Sequence, residues 1–281
     1  MTPSLDVLAR PGGTFLMVAL DQRESLRTMM ADAAGGAAVP DERLAAFKLA
    51  AAQELGPHAS AVLLDRQFGA AACAAVPPTC GLILAADALV QEPGGPVEDT
   101  DVDEELDPAG AVALKLLVVW RDDVQRARRL ETARRFVELA QAYGLLSVLE
   151  AVVRVPEAER EDAIVEAARE LSSTGPSLYK VEVPLRGRGG RDELARRCRA
   201  IDEVLPMPWV VLSNGVERDD FPGAVEAACR AGASGMLAGR AIWSDLVGAD
   251  APGPLLRERA VPRLERLAAI VDAHGRPWRE R

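Results

Sequence analysis

Short apolar runs and amphipathic stretches alternate along the whole chain. Eight of the runs are apolar on both faces, which is typical of parallel strands that are covered on both sides. In chain order, strands one to eight are predicted at Thr14–Leu20, Ala59–Leu64, Cys80–Ala85, Val112–Trp120, Leu145–Val153, Ser177–Val183, Pro208–Leu212 and Ser234–Ala238.

Helical patterns fill most of the intervals between these strands, and glycines that favour helix ends follow several of them. The predicted helices are Asp41–Leu55, Asp122–Tyr143, Glu157–Ser172, Arg191–Val204 and Phe221–Ala231. Eight strands with helices between them favour a (β/α)8 TIM barrel of the α/β class over an open doubly wound sheet. Because such barrels are single domains of about 250 residues, we expect residues 1–281 to form one domain.

One connection, over residues 87–110, is irregular and contains the acidic run Glu98–Asp107. Asp99, Asp101 and Asp103 alternate as ligands do in a calcium-binding loop. The glycine that such a loop needs after its third ligand position is missing. The sequence therefore predicts a solvated, mobile loop and no metal site here.

Composition narrows the classes of partner. A formal net charge of −10 argues against a nucleic-acid partner, although a local pocket can still bind a small anion. The longest uncharged stretch, Gln67–Ala86, is split by Pro77, Pro78 and Gly81, so it predicts a helix, a turn and a strand and no membrane span. Four cysteines without CxxC spacing indicate reduced thiols, and no signal peptide is evident, so we expect a cytoplasmic protein.

The two histidines, His58 and His274, lie away from the predicted strand ends. Multi-histidine zinc chemistry and a Ser-His-Asp triad are therefore not predicted. We expect neither a metal nor another cofactor.

Lysine is rare, and its positions are informative. Of 33 basic residues only Lys48, Lys115 and Lys180 are lysine. A desolvated amine can lose its proton and form an imine, whereas a guanidinium stays protonated. Side-chain alternation puts Lys180 on the same face as Glu182, and Lys115 interrupts strand four.

Strands four and six belong to the same alternate set of a barrel, so both amines are expected to face its axis. We interpret Lys180 as a nucleophile whose pKa is lowered by desolvation and by the neighbouring Lys115. The alternative is that one lysine reaches the barrel rim or pairs with Glu182.

Barrel enzymes carry their chemistry where the strands end. The polar residues at those ends are Asp21, Gln22, Arg23, Asp65, Asp87, Glu150, Glu182, Ser213 and Arg240. The segments Ser213–Gly215 and Gly239–Arg240 end strands seven and eight, where backbone N–H groups and a cation often bind phosphate. The alternative is that they are plain turns with a surface arginine.

Several segments together carry a family resemblance: ALDQRESLRTMM, ASAVLLDRQF, ALKLLVVWR, LEAVVR, LYKVEVPLRGRGG, MPWVVLSNGV and AGASGMLAGRAIW. Over nearly its whole length the chain resembles the bacterial class I aldolases that include tagatose 1,6-bisphosphate aldolase and sulfofructosephosphate aldolase, and it is most similar to the second. Two positions depart from that pattern. Asn214 stands where a smaller residue is expected, and the segment after Arg154 is less basic.

The resemblance implies a role for each matching residue. Lys180 would form the Schiff base, Lys115 would be the neighbouring amine, and Glu150 would transfer protons. Asp21 and Gln22 would line the pocket, while Ser213, Gly215, Gly239 and Arg240 would hold a phosphate. The implied reaction cleaves 6-deoxy-6-sulfofructose 1-phosphate to dihydroxyacetone phosphate and sulfolactaldehyde.

Two alternatives stay open: cleavage of tagatose or fructose 1,6-bisphosphate, and a barrel that senses sugar phosphates without catalysis. Arg23, Arg154, Arg186 and Arg188 are candidates to reach the sulfonate. A ketose phosphate is the expected partner, and a homo-oligomer is the expected assembly.

Overall fold

The computed structural model describes residues 3–90, 97–108 and 110–281. Within them, eight parallel strands close into a barrel, which confirms the predicted fold class. The strands in chain order are β1 (Phe15–Leu20), β2 (Ala61–Leu64), β3 (Gly81–Ala85), β4 (Asp87–Val90), β5 (Asp99–Val102), β6 (Ala113–Trp120), β7 (Leu146–Val153), β8 (Leu178–Glu182), β9 (Trp209–Leu212) and β10 (Gly235–Ala238). Around the barrel the order is β1, β2, β3, β6, β7, β8, β9 and β10, and β10 pairs again with β1.

Helices cover the outside of the barrel. In chain order they are α1 (Glu24–Ala33), α2 (Asp41–Leu55), α3 (Ala70–Ala75), α4 (Arg126–Ala142), α5 (Arg160–Ser172), α6 (Arg191–Val204), α7 (Phe221–Ala231), α8 (Arg240–Trp243), α9 (Pro252–Leu255) and α10 (Val261–His274). Three predicted helices, now α2, α6 and α7, agree at both ends. The helix predicted from Glu157 begins instead with a 3-10 turn over Glu157–Glu159. No helix of the described residues is long and apolar enough to cross a membrane.

Two apolar layers result from the alternation of side chains along the strands. Phe15, Met17 and Ala19 of β1 point into the barrel, where they pack with Ile83, Leu178 and other inward residues. The alternate β1 residues pack in a separate layer with the helices. Barrel strands that are apolar on both faces therefore fill two cores at once. A charged residue on the inward face must find its partner inside the barrel.

One end of the barrel is closed. Leu5 and Leu8 of an N-terminal 3-10 turn are buried in the inner layer, and Trp278 packs against it. The Trp278 backbone N–H donates to the carbonyl of Gly13 at 2.8 Å, which ties the C-terminal segment to the loop before β1. Access to the interior is consequently from the opposite end, where the strands finish.

The connection predicted as a mobile loop is instead a β-hairpin, so that prediction was wrong. Strands β4 and β5 pair antiparallel from Asp87 opposite Val102 to Val90 opposite Asp99. Arginines neutralise its acidic strand: Arg129 binds Asp99 at 3.1 Å and Arg135 binds Asp101 at 3.2 Å. Asp99 and Asp101 therefore anchor the hairpin to α4. Residues 91–96, which come between the two strands in the chain, lie outside the described residues.

Candidate active site

A cavity of about 240 Å³ opens where the barrel strands end. It is lined by residues from the ends of six of these strands and from the β4–β5 hairpin. The lining residues are Asp21, Gln22, Arg23, Ser25, Asp87, Leu89, Val97, Lys115, Leu117, Val119, Glu150, Val152, Arg154, Lys180, Asn214 and Arg240.

Two buried amines share one carboxylate oxygen at the floor of the cavity. Lys180 Nζ donates to Glu150 Oε2 at 2.8 Å, and Lys115 Nζ lies 3.0 Å from the same oxygen. Glu150 stands on β7, between β6 and β8 in the barrel, and Lys180 is its cross-strand neighbour. Strand alternation thus brings the two lysines to one axis, as the sequence predicts.

The alternative partner for a lysine, Glu182, is occupied elsewhere. It accepts hydrogen bonds from the Val153 backbone N–H at 2.8 Å and from Arg160 at 3.4 Å. Glu182 shares the strand face of Lys180, but its carboxylate lies outside the lysine cluster and does not line the cavity.

Lys115 is enclosed by three carboxylates. Its Nζ lies 2.8 Å from Asp21, 3.3 Å from Asp87 and 3.0 Å from Glu150. Burial lowers the pKa of this amine, but the three negative charges outweigh burial and raise the pKa well above its ordinary value. Lys115 is therefore a permanent ammonium ion at neutral pH.

Lys180 differs from Lys115 in its partners. Among the described residues its only salt bridge is to Glu150, and that oxygen is shared with Lys115. One shared anion stabilises an ammonium less than three anions do. Lys180 is consequently the less tightly held of the two amines, with one carboxylate partner where Lys115 has three.

The carboxylates of Asp21 and Glu150 stay ionised. Burial raises the pKa of each group, but the ammonium ions of Lys115 and Lys180 outweigh it, so both pKa values fall below the usual range. Both carboxylates can therefore accept a proton in a transition state without already carrying one.

No group of three or more metal-binding side chains is arranged to hold a metal ion within residues 3–90, 97–108 and 110–281. The three carboxylates nearest one another in the cavity surround an ammonium nitrogen, Lys115 Nζ. In this site the Lys115 ammonium group occupies the position between the carboxylates where a metal cation would otherwise bind.

Gln22, predicted to line the pocket, does so, as does Arg23, a candidate to reach the far end of a substrate. The Gln22 Oε1 is buried and has no hydrogen-bond donor among the described residues, so it is available to a substrate hydroxyl. Arg23 donates to the Asp87 carbonyl at 3.1 Å and to its carboxylate at 3.2 Å, so part of its charge is already compensated.

The predicted phosphate loops lie beside the cavity, although only part of them reaches it. Asn214 and Arg240 line it, whereas Ser213, Gly215 and Gly239 do not. Gly239 is required by packing, because a Cβ atom there would meet the β1 carbonyl of Ala19 at 2.4 Å. Burial lowers the pKa of Arg240, which has most of its side chain covered.

The four arginines proposed for the far end of a substrate divide into two pairs. Arg23 and Arg154 line the cavity. Arg186 and Arg188 do not, and they pair with Glu157 and Glu217 at 2.6 and 3.3 Å on the surface.

The third lysine also has a buried partner. Lys48 of α2 pairs with Asp65, and both side chains are fully buried. Asp65 also accepts the Phe68 backbone N–H at 2.8 Å, so this strand-end carboxylate stabilises a turn and does not line the cavity.

Sequence reasoning placed Asp87 at a strand end and Asn214 in a candidate phosphate loop, but it assigned a role to neither residue. Asp87 had the same signal as Asp21, a carboxylate directly after a buried strand. Leu89 and Val97 had no comparable signal, since they reach the cavity only because the hairpin forms.

The chain is similar to known proteins over nearly its whole length. The sequence pattern of "DeoC/LacD family aldolase" matches residues 15–245. The chain is 27% identical to tagatose 1,6-diphosphate aldolase of Listeria monocytogenes, over 98% of this chain and 92% of that protein. It is 28% identical to tagatose 1,6-diphosphate aldolase 1 of Enterococcus faecalis, over 95% of this chain and 93% of the relative.

Solved structures resemble the fold at lower identity. Fructose-bisphosphate aldolase of Plasmodium falciparum superposes with a TM-score of 0.71 at 15% identity, over 96% of this chain and 93% of that one. An archaeal fructose-1,6-bisphosphate aldolase, with its catalytic lysine bound to a carbinolamine intermediate, has a TM-score of 0.64 at 19% identity, over 95% and 97% of the two chains. At these identities the likeness concerns the barrel.

Proposed function

The chain belongs to the DeoC/LacD family of aldolases, enzymes of the carbon–carbon lyase class, and we propose that it works as a class I aldolase through a Schiff base on Lys180. The proposal takes residues 1–281 as one catalytic domain. The observation that carries it is the pair of buried amines on one Glu150 oxygen, of which only Lys115 is held by three carboxylates.

In the first step, the uncharged amine of Lys180 attacks the C2 carbonyl carbon of a ketose phosphate. Loss of water from the carbinolamine leaves a protonated imine, which withdraws electrons from C3. The 2.8 Å contact between Lys180 and Glu150 lets that carboxylate pass the protons that the nitrogen loses to the oxygen that leaves as water, so Glu150 is again a carboxylate before the next step.

In the second step, Glu150 takes the proton from the C4 hydroxyl and the C3–C4 bond breaks. Its electrons move to the imine and form an enamine, while the aldehyde half leaves. Protonation of the enamine at C3 and hydrolysis release dihydroxyacetone phosphate and restore Lys180. A positioned base of this kind contributes ~10²–10⁴-fold to the rate. Lys115 keeps Asp21 and Glu150 ionised and in place.

For binding, we assign the phosphate at C1 to Arg240 and to the backbone at Ser213, Gly215 and Gly239. The largely buried, cavity-lining guanidinium of Arg240 supports this assignment. Gln22 is assigned to a substrate hydroxyl because its buried oxygen has no donor among the described residues.

For the other end of the substrate we propose a C6 sulfonate, that is, 6-deoxy-6-sulfofructose 1-phosphate. Apart from the nucleophile Lys180, the charged lining residues are Arg23, Lys115, Arg154 and Arg240 against Asp21, Asp87 and Glu150, an excess of one positive charge among the described residues. A phosphate carries about 1.5–2 negative charges and a sulfonate one, so the sulfosugar carries less charge than a bisphosphate. The small cationic excess supports the less charged substrate, as does the sequence resemblance.

Tagatose 1,6-bisphosphate is the second candidate. The observation that favours it is the name shared by the relatives in Listeria monocytogenes and Enterococcus faecalis, which this chain matches over nearly its full length. Arg23 and Arg154 would then share the second phosphate.

The proposed setting is the cytoplasm, which suits four cysteines that are all free thiols. A homo-oligomer is part of the proposal and is tested by light scattering of the purified protein.

Borohydride trapping tests the covalent step. Incubation with dihydroxyacetone phosphate and borohydride should fix a mass adduct on Lys180, because reduction traps an imine and not a non-covalent complex. The variant Lys180→Arg, which keeps the charge but cannot form an imine, should show no adduct. An adduct on Lys115 would reverse the two roles, and no adduct on either lysine would refute the mechanism.

A substrate panel tests the choice between sulfonate and phosphate. We expect kcat/KM for 6-deoxy-6-sulfofructose 1-phosphate to exceed those for tagatose and fructose 1,6-bisphosphate by at least about tenfold, or ~1.4 kcal/mol. Equal turnover of either bisphosphate would remove the sulfosugar assignment and leave the aldolase assignment intact.

A further inference from the structure

Asn214 joins two charged side chains at the edge of the cavity. Its Nδ2 donates to Glu182 Oε1 at 2.9 Å, and its Oδ1 accepts a hydrogen bond from Arg240 Nη2. A carboxylate only accepts and a guanidinium only donates, so the orientation of the amide between them is fixed. Asn214, which departs from the family pattern, therefore bridges Glu182 and Arg240 through hydrogen bonds.

The carboxylate end of this bridge is immobile. Glu182 is buried and also receives the Val153 backbone N–H at 2.8 Å and the Arg160 guanidinium at 3.4 Å. Its direction is set by β7 and by α5, two elements that belong to the barrel. A side chain that donates to Glu182, as Asn214 does, is thereby fixed relative to the barrel strands.

The guanidinium end is open to the cavity. In the part of the chain that the structure describes, Arg240 forms no salt bridge, and Asn214 is its hydrogen-bond partner. A guanidinium has five N–H donors, so most of those of Arg240 remain available to an anion. Arg23, in contrast, is already paired with Asp87 at 3.2 Å.

We propose that Asn214 is a positioning residue: it aims the Arg240 guanidinium into the cavity and, as a neutral spacer, keeps it from pairing with the buried Glu182. With a smaller side chain at position 214, Arg240 is free to turn toward Glu182, and that carboxylate then neutralises its charge. The inference rests on the proposed function only in taking Arg240 as the group that binds the substrate's anionic end.

Equilibrium titration with inorganic phosphate tests this without turnover. We expect Asn214→Ala to weaken phosphate binding about tenfold, a coupling that is usual for groups in one hydrogen-bond network. Asn214→Asp should weaken it more, about a hundredfold, because its carboxylate pairs with Arg240 directly. Gln141→Ala, which removes an exposed amide from α4, is the matched control and should bind phosphate as the original chain does.

A double-mutant cycle separates positioning from general structural damage. In an Arg240→Ala background, Asn214→Ala should change phosphate binding by less than about twofold, since it acts only through Arg240. Asn214→Ser, a milder change, should follow Asn214→Ala in direction. Unchanged phosphate affinity in Asn214→Ala and Asn214→Ser, or losses that multiply in the double variant, would overturn the proposal.

Aldol cleavage is measured separately on the same variants. Asn214→Ala should raise KM for a ketose phosphate and leave kcat within about twofold, because uniform binding is lost and not transition-state stabilisation. If the original chain cleaves no ketose phosphate while the phosphate titrations behave as expected, the proposed reaction fails and the role of Asn214 stands.

Discussion

Replacement of Lys115 by methionine should destabilise the fold strongly. The ammonium lies within 2.8 to 3.3 Å of the carboxylates of Asp21, Asp87 and Glu150, and it is 2% exposed. Methionine has a similar size but no charge, so the variant leaves Asp21 without a salt-bridge partner among the described residues, and Asp87 and Glu150 keep one cation each. Removal of one partner from a buried ion pair costs about 3–5 kcal/mol. We expect the free energy of unfolding to fall by at least about 3 kcal/mol at neutral pH.

Lys180→Met is the matched comparison and should cost less. Its partner Glu150 retains Lys115 at 3.0 Å, so no carboxylate is left without a cation. A loss of about 1–2 kcal/mol is expected. Lys115→Arg, which keeps the charge, should recover part of the stability lost in Lys115→Met.

The loss of unfolding free energy in Lys115→Met should also depend on pH. The pKa values of Asp21 and Glu150 lie below the usual range, so their ion pairs stabilise the fold at pH values above ~4. This contribution is lost as the pH falls through the lower pKa values of the folded state. The pKa of Lys115 is raised, so its contribution to stability is complete at pH values below ~10.4. It is lost only as the pH rises through the pKa that Lys115 has in the folded state.

Without Lys115 the folded pKa values of the carboxylates rise, and protonation relieves their repulsion. The deficit of Lys115→Met should therefore be smaller at pH ~5 than at pH ~7. Urea denaturation of the original protein and of Lys115→Met at the two pH values measures this difference in the free energy of unfolding. A variant as stable as the original chain, or an equal deficit at both pH values, would refute the reasoning.

Three further predictions concern binding, metal dependence and thiols. Arg240→Ala should raise KM for the ketose phosphate by roughly ten- to a hundredfold and leave cleavage of unphosphorylated ketose nearly unchanged, whereas equal losses on both would make Arg240 structural. Activity should survive EDTA, since the protonated imine withdraws electrons as a metal would, and recovery by zinc of activity lost to EDTA would contradict this. Burial raises the pKa values of Cys80, Cys198 and Cys229 to about 12, so these thiols should react with Ellman's reagent only after unfolding, and fast reaction of any of them in the native protein would contradict their burial.

The barrel was predictable because its signals are local. Each barrel strand is a run that is apolar on both faces, and the observed strands lie within the predicted ones. Helices such as Arg191–Val204 were predictable at both ends from periodicity and end signals. The positions of Lys115, Glu150 and Lys180 followed from the alternation of side chains, since one register fixes the face of every residue in a strand.

The β4–β5 hairpin was not predictable in this way. Its strand Asp99–Val102 has an alternating acidic pattern that fits a solvated loop equally well. It becomes a strand because Arg129 and Arg135 of α4 neutralise the aspartates, and these partners are distant in sequence. Arg154 and Asn214 illustrate the same limit, because the direction of a long or amide side chain depends on its partners and not on its position alone.

The burial of every lysine has a practical consequence for chemical modification. Lys48, Lys115 and Lys180, which are all the lysines of the chain, are at most 3% exposed. Acylating reagents such as succinimidyl esters need an accessible uncharged amine, and the folded surface offers no lysine side chain for them. Amine coupling to a sensor chip or a dye would find no accessible lysine on the folded protein, and acylation of a lysine would report that the barrel has opened. Labels for this protein are better directed to an introduced cysteine.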